Sequence, residues 1–537
     1  MKRHISIGWL AAVLAGAQIL VLLFFAGQKK GYFIDEIYSW GLSNGYYKPF
    51  VASYDVFERW MGGDEFQDYM TVQEGERFAY RSVYYNQTQD VHPPLFYMVM
   101  HTVCSLTPDV HSVWQGILVN VMFYGGCLWL VFLTARSLTG SGAGGLAAMV
   151  LWGLSPGGLS TAIYIRMYMM MAFFTMATVY LHVRMEQEGQ SRKRLLPICA
   201  VTFLGLMTQY YFVFAAFFLS AVYVLHKLWK RRWREALVYS GALFGSVGLM
   251  AAAYPACITH LTRTDEFVAA ETRNNFMNRA VLARNLISYM SDINIDFFGG
   301  RIRAAAGALF VLALCMWGRR KLKKGQGGGH GGQWDRGDIL GTGLAVVWVL
   351  SFLSVSMAAV VTGVRYIYNL YPLLCVLAVW IVMKITRWGF GGTKGLNLIR
   401  GGLMALMMVL FLNGYHLGFV RYLYPENVKR AETAEKYRDL YCLYVDNYEN
   451  APLTQDLMEL SRFKGVYVMP AEKIGQVSEV LEGKDCEEGL IVYVDTNEFW
   501  SSGYDGGEVM EQLKEAVGAG EYELLYDNIL SQTYLLK

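Results

Sequence analysis

Four short constellations in this 537-residue chain carry the residue types of acid–base and phosphate chemistry. The first is Phe33-Ile34-Asp35-Glu36-Ile37-Tyr38. An ordinary aspartate, with a pKa of about 4, is ionised at neutral pH, so Asp35 can serve as a general base. Glu36 points in another direction and takes a separate role. A helix N-terminus with acids in its first turn has the same spacing, and spacing alone leaves both readings open. The second is Asp90-Val91-His92-Pro93-Pro94-Leu95. The prolines suit a helix's first turn, which puts His92 at the entrance, able to meet a phosphate or a metal; a plain cap is the alternative. The third and fourth are Tyr164-Ile165-Arg166-Met167-Tyr168 and Gly363-Val364-Arg365-Tyr366. A guanidinium stays charged and grips phosphate oxygens in pairs, whereas snorkelling to the membrane surface is the simpler account of a lone arginine. Gln209-Tyr210-Tyr211 adds polar aromatics, which an interfacial belt explains equally well.

The elements that must position these residues follow from composition. Hydrophobic residues make up 54% of the chain and charged ones only 17%, against about 25% charged in soluble domains. Apolar runs of bilayer-crossing length recur between Ile5 and Phe419. This excludes a cytosolic enzyme, a secreted domain and a nucleic-acid binder, and predicts a polytopic α-helical membrane protein. Spans are expected at 5–26, 112–134, 143–161, 164–183, 195–208, 212–226, 236–257, 302–317, 338–361, 365–383 and 401–420, about eleven in all. Ser155-Pro156-Gly157-Gly158 is the nearest approach to a broken helix. Basic clusters such as Arg192-Lys193-Arg194, Lys230-Arg231-Arg232 and Arg319-Arg320-Lys321 then fall on one side. That makes it cytoplasmic, provided 93–106 is an interfacial helix rather than a crossing. The expected topology is multi-pass in the cell membrane, with the N-terminus inside. The loops 27–91 and 258–300 and the C-terminal region lie outside, and all four constellations fall at the outer boundary.

Beyond the membrane domain 1–420, residues 421–537 form a different region, with 23 acidic residues against 11 basic. Strands are expected at Leu440–Asp446, Gly465–Met469 and Gly489–Asp495, helices at 453–463, 472–482 and 507–517, and a closing hairpin at 521–536. This describes a small extracytoplasmic α/β domain without a phosphate-binding glycine loop. Six of the eight cysteines lie in apolar segments; Cys442 and Cys486, in the polar region, are candidates for a disulfide. The glycine-rich stretch 325–332, with His330, reads as a cytoplasmic linker.

The Asp-Glu pair after the first span, the His-Pro-Pro-Leu helix start, Arg166-Met167-Tyr168 and Arg365-Tyr366 together resemble the polytopic GT-C glycosyltransferases. The similarity is to glycosyltransferase family 39, which includes protein O-mannosyltransferases and lipid A aminoarabinose transferases, and it spans roughly residues 1–385. It implies transfer of a hexosyl or pentosyl group from a polyprenyl-phosphate donor to an extracytoplasmic glycan, lipid or protein, by inverting single displacement. Asp35 would deprotonate the acceptor hydroxyl and Glu36 would orient the loop or the acceptor. His92, Arg166, Arg365 and Tyr366 would hold the donor phosphate, with Tyr168, Tyr210 and Tyr211 lining the substrate site. Preorganised cations of this kind stabilise the leaving phosphate. Some family members bind a metal through His and Glu in outer loops. A divalent metal is therefore a candidate cofactor, with Asp90, His92, His260 and Asp265 as candidate ligands. Membrane lipids are expected partners and nucleic acid is not.

Two other classes fit parts of the pattern. A transporter or lipid flippase accommodates intramembrane arginines, but the polar candidates sit at one face rather than at the midplane. A scaffold with a binding domain outside accommodates the acidic surplus of 421–537.

Overall fold

Within a bilayer every backbone amide must find its partner inside its own segment, so apolar runs fold as helices. The computed structural model describes residues 6–262, 278–323, 336–359, 361–390, 395–448, 450–497 and 503–537. Asp265 and the linker 325–332 with His330 lie outside these residues. The chain divides into two compact units, Met1–Gly27 with Ile117–Arg421, and Gln28–Gly116 with Tyr422–Lys537.

The first unit is the helical bundle of a multi-pass membrane protein. Among the described residues, seven helices are long and apolar enough to cross a bilayer, or up to nine if each of two bent pairs is one span. The other two expected spans are the helices Tyr168–Glu188 and Arg192–Leu206. The first carries His182, Arg184, Glu186 and Glu188 toward one end. The second has 15 residues, about 22 Å of helix, short of a hydrocarbon core of about 30 Å.

Both bends have local causes. Gly142–Gly153 and Pro156–Ile163 meet at 60°. There Ser155 caps the second helix by accepting from the Gly158 amide at 2.9 Å, and Pro156 opens its first turn. Arg279–Phe298 meets Ile302–Gly318 at 74°. This turn uses Gly299 and Gly300 at φ +56° and +76°, where a side chain would be strained. Sequence reading put 279–298 in an outer loop; the structure makes it a helix, its buried Tyr289, Ile293, Asp296 and Phe297 following helical spacing.

The second unit is an α/β fold around a six-stranded sheet: β1 (Trp60–Met61), β2 (Tyr441–Val445), β3 (Gly465–Met469), β4 (Leu490–Asp495), β5 (Tyr522–Asp527) and β6 (Ser531–Leu536). The order is β1-β3-β2-β4-β6-β5. β3, β2 and β4 are parallel, with Leu443 opposite Tyr467 on one side and Val492 on the other. Near-continuous burial of β2 and β4 matches a sheet covered on both faces. β1 comes from the first loop and pairs antiparallel with β3. Cys442 is buried, Cys486 is half-buried, and both are free thiols rather than a disulfide.

A buried polar network ties helix Asn427–Lys436 to the sheet. Arg430 pairs with Asp456 and, at 3.1 Å, with Glu459; Tyr444 and Ser531 donate to Asp456 at 2.9 and 2.6 Å. Burial pushes the Glu459 carboxyl up to about 7, with Arg430 opposing. A raised carboxyl favours the folded state most when protonated. That contribution is complete below the ordinary value of 4.5 and is lost as pH rises through about 7. Hydrogen exchange at β2 and β4 in the full chain is expected to show stability falling over that window, and Glu459→Gln is expected to flatten the fall.

Candidate functional site

The candidate residues fall into two groups, each assembled within one unit. In the second unit, the chain leaving the first span is fastened to the chain that follows the last helix of the bundle. Lys29 Nζ donates to the Tyr422 carbonyl at 2.7 Å and the Lys30 amide to the Leu423 carbonyl at 2.7 Å. Gly31 packs so closely on Asn427 that a Cβ would lie 2.1 Å from its Nδ2. Helix Ile34–Asn44 starts from this anchor. Glu36 closes its first turn by accepting from the Phe33 amide at 3.0 Å. The same carboxylate pairs with Lys29 at 2.8 Å, with side-chain exposures of 0% and 1%. Glu36 is thus a buried clamp that orients the loop, while Asp35, one residue earlier, stays part-exposed.

Asp35 has a defined neighbourhood. The Tyr38 hydroxyl accepts from Asn450 Nδ2 at 2.8 Å. Burial pushes its phenol up to about 12; bonds from Thr454 and Asn450 oppose the rise, and the carboxylates of Asp35 and Asp90 add to it. Both acids therefore stand within electrostatic reach of one phenol. Asp90 ends helix Tyr80–Gln89 and its Oδ2 lies 2.7 Å from His92 Nδ1. This fixes the ring and directs Nε2 away from the carboxylate. Pro93 and Pro94 precede the helix Leu95–Ser105 rather than occupying its first turn, with Pro94 as its cap. At 11 residues this helix is too short to cross. His101 and His111 have structural duties: His101 Nε2 accepts the Ala79 amide at 2.9 Å, His111 Nε2 meets the Tyr32 hydroxyl at 3.1 Å, and burial lowers each to about 4. Asp90→Asn is expected to free the His92 ring and lower turnover, by up to about 100-fold if the ring is misplaced by an ångström. A steady-state assay that separates kcat from KM checks this.

In the first unit, Arg166 and Arg365 occupy short non-α segments just past helix ends, and a buried asparagine fixes each segment. Asn120 Nδ2 donates to the carbonyls of Ala162 and Tyr164 at 2.9 and 2.7 Å. Asn285 Nδ2 donates to those of Ser356 and Ala359 at 3.0 and 3.3 Å, and its Oδ1 accepts from Thr362 at 2.8 Å. These amides satisfy carbonyls left over where each helix stops. Beyond them, Arg166 is 4% exposed and Arg365 lies on the 3₁₀ turn Val364–Leu370, its guanidinium 5.2 Å from the Tyr366 ring centre. Tyr366 sits edge-on to Tyr168 at 6.2 Å and to Tyr211 at 5.1 Å. The structure thus brings Tyr168, Tyr211, Arg365 and Tyr366 together, with Arg166 two residues before Tyr168. Tyr210 turns instead to His260, hydroxyl to Nδ1 at 3.0 Å.

Sequence reasoning missed Asn120 and Asn285, and the cluster of Arg421 with Asp292 at 2.7 Å and Asp296 at 3.5 Å, where Tyr371 also donates to Asp296 at 2.7 Å. The available signal was a lone polar residue inside an apolar run. Of the metal candidates, Asp90, His92 and His260 form no metal-holding group among the described residues. Among the described residues no three His, Cys, Asp or Glu side chains group to hold an ion; Asp90 engages His92, and His260 engages Tyr210.

The fold is that of a polytopic membrane protein with a helical unit and an α/β unit, and part of the chain resembles a family of membrane glycosyltransferases. More particularly, residues 91–254 match the dolichyl-phosphate-mannose-protein mannosyltransferase family. The whole chain is similar in fold to the crystal structure of ArnT from Cupriavidus metallidurans bound to undecaprenyl phosphate. The identity is 13% and the TM-score 0.51, with 99% of this chain and 98% of that one covered. The apo structure of the same protein gives 12% and 0.50, with 98% of each chain covered. No curated protein matches the chain.

Proposed function

We propose that this chain moves a sugar from a polyprenyl-phosphate donor to an acceptor hydroxyl outside the cytoplasm, with inversion. The observation that carries the reading is the family match over 91–254, which takes in both His92 and Arg166. Asp35 accepts the proton of the acceptor hydroxyl; the oxygen attacks the anomeric carbon; the bond from that carbon to the phosphate oxygen breaks, and polyprenyl phosphate leaves with the electron pair. Arg166 and Arg365, beside the Tyr168, Tyr211 and Tyr366 rings, hold the phosphate and stabilise the charge it gains. His92, aimed by Asp90, donates to the same phosphate. Glu36 acts through the loop it clamps.

The outer location has a structural support. Lys29 lies three residues after Ile7–Ala26 and Tyr422 six after Leu396–His416. Their 2.7 Å bond supports first and last spans that leave the membrane on one face, and the basic loops elsewhere support reading that face as extracytoplasmic.

The test is to incubate the purified chain in nanodiscs with polyprenyl-phosphate sugars and a panel of envelope acceptors. Glycosylated acceptor and free polyprenyl phosphate in equal amounts are the expected products. Lipid movement across the bilayer that depends on Arg166 and Arg365, without a glycosyl product, would establish a flippase instead.

A further inference from the structure

A cavity of about 280 Å³ in the helical unit is lined by none of the candidate catalytic or phosphate-binding residues. It opens where helices Phe212–Trp229 and Trp233–Ala253 meet in a tight turn. Its floor is apolar: Leu219 and Val222 from one helix, and Ile339, Leu340, Gly343 and Leu344 from Arg336–Ala358. At Gly343 the two helices pack closely, since a Cβ there would lie 3.3 Å from Val222 Cγ1. The rim is charged. Lys227 is buried, with 3% side-chain exposure, and is held by Glu186 at 3.1 Å and Glu235 at 3.5 Å. Arg232 reaches Glu235 at 3.4 Å, and His226 Nδ1 lies 3.3 Å from Glu186. Lys230 completes the rim. His226 Nε2 is buried with no hydrogen-bond partner among the described residues.

An apolar slot beneath a cationic rim has the polarity of a lipid with its head group at the rim and its chains along the floor. Three further features select an anionic lipid of the cytoplasmic leaflet. Lys227, Lys230 and Arg232 outweigh Glu186 and Glu235 by one charge (3 − 2), and Arg231 and Arg234 flank the turn. Trp229 and Trp233, 78% and 59% exposed, bracket the rim as residues of the membrane interface do. The same turn is one of the basic loops that mark the cytoplasmic side. We infer that this cavity binds an anionic phospholipid, its phosphate on Lys230, Arg232 and His226 Nε2, and one acyl chain along the apolar floor of Leu219, Ile339, Leu340 and Leu344.

Native mass spectrometry of the full chain, released from nanodiscs of equal phosphatidylglycerol and phosphatidylcholine, tests this. The parent is expected to retain phosphatidylglycerol preferentially. Each basic residue near an anionic surface contributes about fivefold, so Lys230→Gln with Arg232→Gln, both at the surface, should lower that preference roughly 30-fold. Leu340→Trp, with helicity and monodispersity checked, should reduce retention of both lipids by filling the floor. Unchanged preference in the charge variant, equal retention of both lipids by the parent, or displacement of the bound lipid by inorganic phosphate would each overturn the inference. These lipid readouts are independent of glycosyl transfer, so failure here leaves the catalytic proposal standing, and the reverse.

Discussion

Asp35→Asn is expected to lower kcat by on the order of 10²–10⁴-fold, the usual contribution of a positioned general base. The amide occupies the space of the carboxylate and leaves the Lys29–Glu36 clamp and the Phe33 cap in place, so donor affinity and thermal unfolding should stay near those of the parent. The loss then lies in the chemical step. The pH profile gives a second readout. Transfer by the parent should fall on the acid side as one carboxylate protonates, with a limiting slope of one, and the residual activity of the asparagine variant should lack that limb. Retention of parental turnover by Asp35→Asn would remove the base from the scheme.

Lys29→Ala is expected to destabilise the second unit by about 3–5 kcal/mol, because it leaves the Glu36 carboxylate buried without its counter-ion. The magnitude follows from burial: both side chains are almost wholly enclosed, so solvent offers little relief. Lys29 also loses its bond to the Tyr422 carbonyl and its place 4.8 Å from the Tyr424 ring centre, and the anchor of helix Ile34–Asn44 goes with them. Hydrogen exchange over that helix should accelerate, and turnover should fall because Asp35 is no longer held. Lys29→Met combined with Glu36→Gln should recover much of the stability, since no unpaired charge remains. A double-mutant cycle in which the two changes simply add would show that the pair is uncoupled and that Glu36 holds the helix by its cap alone.

The apolar runs made most of the bundle readable, and the C-terminal strands were readable for a related reason. Cys442-Leu443-Tyr444-Val445 and Leu490-Ile491-Val492-Tyr493-Val494 are short continuous apolar segments between turn signals, the pattern of strands buried on both faces. Trp60–Met61 escaped because two residues have no period, and their pairing partner lies some 400 positions away. Helix Arg279–Phe298 escaped because Asp292, Asn294 and Asp296 made it look like a loop; half-buried Asp292 and buried Asp296 are held by Arg421, which lies beyond the last span. The site divides in the same way. Asp35, His92, Arg166 and Arg365 stood out as polar groups beside the membrane. Lys29 could not be matched to Glu36, nor Asn120 and Asn285 to the carbonyls they satisfy, because those partnerships depend on where separate elements end.

The decisive measurement is a cryo-electron microscopy structure of the full chain in nanodiscs with polyprenyl phosphate bound. The expected result is a phosphate within hydrogen-bond distance of the Arg166 and Arg365 guanidinium groups, on the membrane face that Asp35 also occupies. A phosphate held elsewhere, or Asp35 found on the opposite face of the bilayer, would contradict it.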